Sequence, residues 1–124
     1  MTPNPRLSWI RFCGVIAICL LVYGSLSGAA AQPRTVLGWE LEHLIGYFAM
    51  TLIVYLAWPR PLLVAVGMAV LAFLLEGLQA FTPDRTPNLY AALIGAGGAL
   101  VATLLSELVT RARRRRALGA RGSN

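Results

Sequence analysis

The sequence predicts an all-helical membrane fold, four spanning helices with both termini on the cytoplasmic side, and three observations predict it. Apolar residues make up 57% of the chain and charged residues only 13%, more apolar surface than a soluble domain of 124 residues needs. That surplus is gathered into four runs, about Phe12–Ala31, Leu41–Trp58, Leu62–Phe81 and Leu89–Val109, each near the ~20 residues that cross a hydrocarbon core of ~30 Å. The positive charge is one-sided. All eleven basic residues are arginine. In a four-helix arrangement Arg6, Arg11, Arg60, Arg111, Arg113–Arg116 and Arg121 fall on one side, with Arg34 and Arg85 on the other. In lipid each run must be a helix, since only its own carbonyls can satisfy its amides, and the arginine-rich side faces the cytoplasm.

The elements follow in order. Residues 1–10 are read as a cytoplasmic segment, 11–110 as the membrane domain and 111–124 as a basic cytoplasmic tail. The first run follows a basic start and ends in Ala29-Ala30-Ala31-Gln32, the pattern of a secretory leader with an Ala-x-Ala cleavage site. It is longer than the ~7–15 apolar residues of such leaders, so it is expected to be retained as a span rather than cleaved after Ala31. Cys13 and Cys19 lie within it at a spacing that fits neither a redox pair nor a zinc site. They are read as packing or lipid-facing residues, and no metal or cofactor is expected. Gly24 and Gly28 form a GxxxG pattern suited to close helix contact.

The second run starts polar, with Glu42 and His43, which places its first turn in the interfacial zone. Trp58-Pro59-Arg60-Pro61 is a tight turn whose prolines stop one helix and start the next, making helices two and three an antiparallel hairpin. Thr82–Pro87 does the same for helices three and four, so the outer ends of helices two, three and four should be adjacent. In the fourth run Ala91, Gly95 and Ala99, and likewise Gly98 and Ala102, recur every four residues as a smooth packing face. The ends, Met1–Ser8 and Ala117–Asn124, are expected to be disordered.

The net charge of +6 is mostly topological. No aromatic-studded basic groove accompanies it, so nucleic acid is not an expected partner. The tail Arg111–Arg116 is read as a topology anchor and nothing more, the alternative being that it holds anionic lipid headgroups at about 1 kcal/mol per Arg.

Glu76 stands apart, because a charge within a membrane segment costs roughly 2.5–3.5 kcal/mol on insertion scales and marks a functional position by default. It lies some five residues, about 7–8 Å at 1.5 Å per residue, below the boundary, and Gln79, one turn on, shares its stripe. Glu40, His43 and Tyr47 share a second stripe at the outer start of helix two, and Asp84, Arg85 and Asn88 cap the same end. A polar pocket open to the outer leaflet satisfies all of them. Each residue also has a plainer reading: an ion pair between Glu76 and Arg85, an interfacial hydrogen bond for His43, interhelical bonding for Gln79 and a helix N-cap for Asn88.

The order of Glu42-His43, a mid-span Glu-x-x-Gln (Glu76, Gln79), then Phe81, Pro83 and Arg85, then a Gly-rich helix (Gly95, Gly97, Gly98) resembles the VanZ-like family of small bacterial membrane proteins over residues 40–98. The chain departs from the family's pattern at Asn88 and Ala92, where an Asp and an Asn are usual. The resemblance implies a multi-pass protein of the bacterial inner membrane and cell envelope, in a family whose namesake is associated with antibiotic resistance, to the glycopeptide teicoplanin.

Two functions are expected from this. In the first, an outer-leaflet site of His43, Glu76, Gln79 and Arg85, with Glu40, Tyr47, Asp84 and Asn88 in second rank, binds a polar lipid headgroup, a lipid-linked glycan or a glycopeptide. Arg85 grips phosphate or carboxylate in a fork. In the second, a small dimeric proton-coupled transporter, and hence a homo-oligomer, uses Glu76 for a cationic substrate. A site near one face rather than the midplane favours the first. No serine or cysteine nucleophile stands on the outer rim, so catalysis is the weakest expectation.

Overall fold

The computed structural model describes residues 5–28, 36 and 38–121. Its helices are α1 (Pro5–Leu26), α2 (Trp39–Ala57), α3 (Pro61–Leu78), continued by a 3-10 turn at Gln79–Phe81, and α4 (Leu89–Arg121). Four helices are long and apolar enough to cross a membrane. No strand occurs among the described residues.

Proline sets two of the starts. Pro5 and Pro61 occupy first helical positions, where the missing N–H has no partner to lose and the fixed φ is already helical. α1 therefore begins well before the apolar run, and Pro5–Ser8, expected to be disordered, are helical. The same correction applies at the other end, where α4 continues through Ala117–Arg121. Arginine and alanine are strong helix formers, and a helix already anchored by packing extends at little cost. Arg34 and the Ala29–Gln32 junction lie outside the described residues.

The helices run up, down, up and down. Gly14 of α1 lies against Ala57 and Trp58 at the end of α2, while Tyr55 of α2 reaches Glu107 of α4 and Trp39 meets Tyr90 edge-on with centroids 6.0 Å apart. α2 and α4 are thus parallel, and the starts of both meet the end of α3, as the short turns require. The α2–α3 hairpin packs least closely of the sequential pairs, however. α2 packs chiefly on α4 and α1, and α3 chiefly on α4.

The reason lies in α4, whose inward face is small. Ala91, Ala92, Ala99 and Ala102 are buried, and a Cβ on Gly98 would stand 2.6 Å from the Leu44 carbonyl oxygen, one on Gly95 2.8 Å from the Tyr47 ring. Only glycine admits so close a backbone approach. Among the described residues nothing lies within 4 Å of a Cβ at Gly24 or Gly28, so none of them packs there as the GxxxG pattern leads one to expect.

Burial differs from that of a soluble domain. Among the described residues the interior holds eight alanines with Thr51, Glu76, Gln79 and Thr103 beside a core of Tyr47, Val54, Tyr55, Val64, Met68 and Leu75, while Phe12, Leu62, Leu63 and Leu104 point outward. An interior rich in small residues under a surface of large apolar ones is the partition expected where the surrounding solvent is hydrocarbon. Cys13 and Cys19 also face outward.

Candidate functional site

The site is assembled where α3 ends and α4 begins. Glu76, in the last turn of α3, is only 8% exposed. Its Oε1 accepts the backbone N–H of Asn88 at 2.6 Å, and its Oε2 accepts an Nε2–H of Gln79 at 3.3 Å. Asn88 is the cap of α4. Its Oδ1 accepts the Tyr90 N–H at 2.9 Å, the arrangement that satisfies a free amide in a first helical turn. The Glu76 carboxylate therefore sits against the positive end of the α4 dipole, in contact with a backbone donor that cannot swing away.

The connecting loop fixes Arg85. Thr82 N–H donates to the Gln79 carbonyl at 3.0 Å and Arg85 N–H to the Thr82 carbonyl at 3.3 Å, closing a turn with Pro83 second and Asp84 third at φ 63°. A proline followed by a residue with positive φ is the signature of a type II turn. From this turn Arg85 reaches back to α1, where its Nε donates to the Ser27 carbonyl at 3.3 Å. Its buried Nη2 has no hydrogen-bond partner among the described residues.

Glu76 and Arg85 form no ion pair, which sets aside the reading of the two as a structural pair. The cause is local geometry: the Asn88 amide is delivered to Glu76 by a short loop, while the α1 carboxyl end offers Arg85 a fixed carbonyl. Tyr47 is buried, with its ring on Gly95, its hydroxyl within hydrogen-bonding reach of Ser25 and its position within electrostatic reach of Glu76. Gln79, read as a candidate interhelical bond, serves Glu76 on its own segment.

The remaining candidates are not drawn in. His43 is partly exposed, with Nδ1 3.0 Å from the Trp39 carbonyl oxygen of its own helix and its ring edge-on to Trp39. Glu40 and Asp84 are exposed. The stripe of Glu40, His43 and Tyr47 is split because Tyr47 turns onto the glycine face of α4. Gln79 is 5% exposed beside Glu76.

Ser25 and Ser27 were not foreseen as members of this end. Their signal is the polar close of α1, Tyr23-Gly24-Ser25-Leu26-Ser27, and which neighbour they meet depends on helix packing rather than on local sequence. Thr51 was also missed. It is wholly buried and its Oγ1 has no partner among the described residues, whereas Thr103, Ser106 and Thr110 each donate to the carbonyl four residues back. No cluster of metal-ligating side chains occurs among the described residues.

No protein-family model, curated protein or solved structure matches this chain.

Proposed function

We propose that the chain is a multi-pass protein of the bacterial inner membrane, both termini cytoplasmic, that binds a polar envelope ligand at the end formed by Glu76, Gln79, Arg85 and Asn88. The observation that carries this reading is the separation of its two charges. A buried carboxylate and a guanidinium stand at one end of the bundle without neutralising each other, each held by neutral protein groups. An unpartnered buried donor of a charged group costs more than the ~1–3 kcal/mol of a neutral one, and the Arg85 Nη2 is such a donor.

A ligand with phosphate or carboxylate would occupy the free part of the Arg85 fork. A carboxylate offers about four acceptor positions; Glu76 has two protein partners, which leaves capacity for a ligand hydroxyl or amine. A lipid headgroup, a lipid-linked glycan or a glycopeptide has both kinds of group. The likeness to VanZ-like proteins, carried by Glu76, Gln79, Pro83 and Arg85, supports the same class of ligand and the link to teicoplanin resistance.

One feature favours the proton-coupled transporter instead: Glu76 is a helix carboxylate without a cationic partner among the described residues. Its place in the last turn of α3, away from a midplane site, weighs against that.

The test is lipid analysis of the purified protein beside teicoplanin susceptibility of cells expressing it. Glu76→Gln and Arg85→Lys should each abolish the retained ligand and the phenotype while helix content stays native. A variant with both residues made apolar that keeps both would overturn the site. Labels at positions 60 and 85 in a cysteine-free background should report opposite sides of the membrane, and labelling of position 60 from outside would overturn the orientation.

A further inference from the structure

The opposite end of the bundle carries a second arrangement that the ligand site does not use. α4 has 33 residues, about 50 Å at 1.5 Å per residue, against a hydrocarbon core of ~30 Å. Its excess length bears Arg111 and Arg113–Arg116 on a continuous helix. Arg111 is neutralised, for its Nε donates to Glu107 Oε1 at 2.8 Å, and the Tyr55 hydroxyl donates to the other Glu107 oxygen at 2.8 Å. Arg114 lies within electrostatic reach of the same Glu107. Arg113, Arg115 and Arg116 enter no ion pair among the described residues.

An apolar groove leads to one of them. It runs between Phe48, Leu52 and Leu56 of α2 and Leu105 and Val109 of α4, and Arg113 closes its end. Each wall is a row spaced by four residues, which lies on one helix face, and the two helices are parallel, so the rows run side by side. The groove is thus an apolar channel as long as two helical turns that terminates in a free guanidinium. The Thr110 hydroxyl beside it is already bonded to the Ser106 carbonyl at 2.8 Å, leaving the guanidinium as the polar contact on offer.

We propose that this groove holds an anionic phospholipid, one acyl chain along the α2–α4 walls and the phosphate on Arg113. The charge decides the occupant. A second copy of the chain would bring its own arginine cluster against this one, whereas a lipid phosphate supplies the missing anion and the acyl chain matches the apolar walls. The site rests on the membrane-spanning reading of the four helices and is independent of the Glu76 end.

The experiment uses the full chain in vesicles of equimolar phosphatidylglycerol and phosphatidylcholine, extracted gently, with retained lipid counted by native mass spectrometry. Phosphatidylglycerol is retained over phosphatidylcholine. Arg113→Gln lowers its apparent affinity about five-fold, the equivalent of about 1 kcal/mol for one arginine at an anionic surface. Arg115→Gln removes the same charge two residues on, about 200° around the helix, and leaves retention unchanged. Leu56→Trp, at an outward position 67% exposed, obstructs the groove with every charge intact and lowers retention as well, and Leu105→Trp does the same from the other wall. Equal losses from Arg113→Gln and Arg115→Gln, unchanged retention in both tryptophan variants, or equal retention of the two lipids would each overturn the proposal.

Discussion

Glu76 and Glu107 stand at opposite ends of one bundle and are satisfied by opposite means. Glu76 is buried, and its partners are a backbone amide and a side-chain amide, both neutral. Glu107 is partly exposed, and its partners are a guanidinium one turn away on the same helix and a tyrosine hydroxyl on α2. An exposed i, i+4 pair contributes little and is screened by salt. A buried carboxylate on a helix N-terminus is irreplaceable locally, because its removal strands the donors that bond to it. The difference teaches that Glu107 is met by charge and Glu76 by fixed dipoles, so the Arg85 guanidinium is not consumed by Glu76.

The largest effect is expected where that contrast is sharpest. Glu76→Ala should lower stability by about 2–3 kcal/mol, since the Asn88 N–H and the Gln79 amide both lose their acceptor. Denaturant unfolding in micelles, followed by circular dichroism, measures it, and a loss no larger than that of Glu107→Ala would break the comparison. Next comes the close approach that brings α2 to the Glu76 end. Gly98→Ala drives a Cβ against the Leu44 carbonyl and should cost about 2 kcal/mol. Gly97→Ala, with nothing within 4 Å of the new carbon, should be neutral or mildly stabilising through helix propensity. If the two variants unfold alike, helix approach does not set the geometry of the site.

Smaller effects belong to the other end. Tyr55→Phe removes the bond from α2 to Glu107 and should cost about 1 kcal/mol, read as a modest fall in midpoint. Glu107→Gln should scarcely move stability, and what change there is should vanish at high salt, because the Arg111 pair lies at the surface. A salt-independent loss there would mean that the two glutamates are more alike than their surroundings indicate.

The spans were legible because each needs a long apolar run, and that requirement is written in composition. The helix ends were not. Hydropathy reports which residues tolerate hydrocarbon, whereas Pro5–Ser8 and Ala117–Arg121 are helical by propensity and by continuity with an anchored span. Within the site, the Glu76–Gln79 bond follows from i, i+3 spacing and the Asn88 cap from residue type, both local properties. The bond from Arg85 to Ser27 joins residues far apart in sequence, so it depends on how α1 docks. The same holds for Tyr47, whose stripe pointed to His43 but whose ring was claimed by the glycine face of α4.

Helix α4 starts at the Glu76 carboxylate and ends beyond the Arg113 guanidinium as one unbroken rod. A helix is nearly inextensible along its axis because its hydrogen bonds lie parallel to it. A slip by one residue at Asn88 would therefore reappear undiminished at Arg113, as about 1.5 Å of travel and 100° of rotation. The two ends of the bundle are thereby mechanically geared, without any chain of side-chain contacts between them.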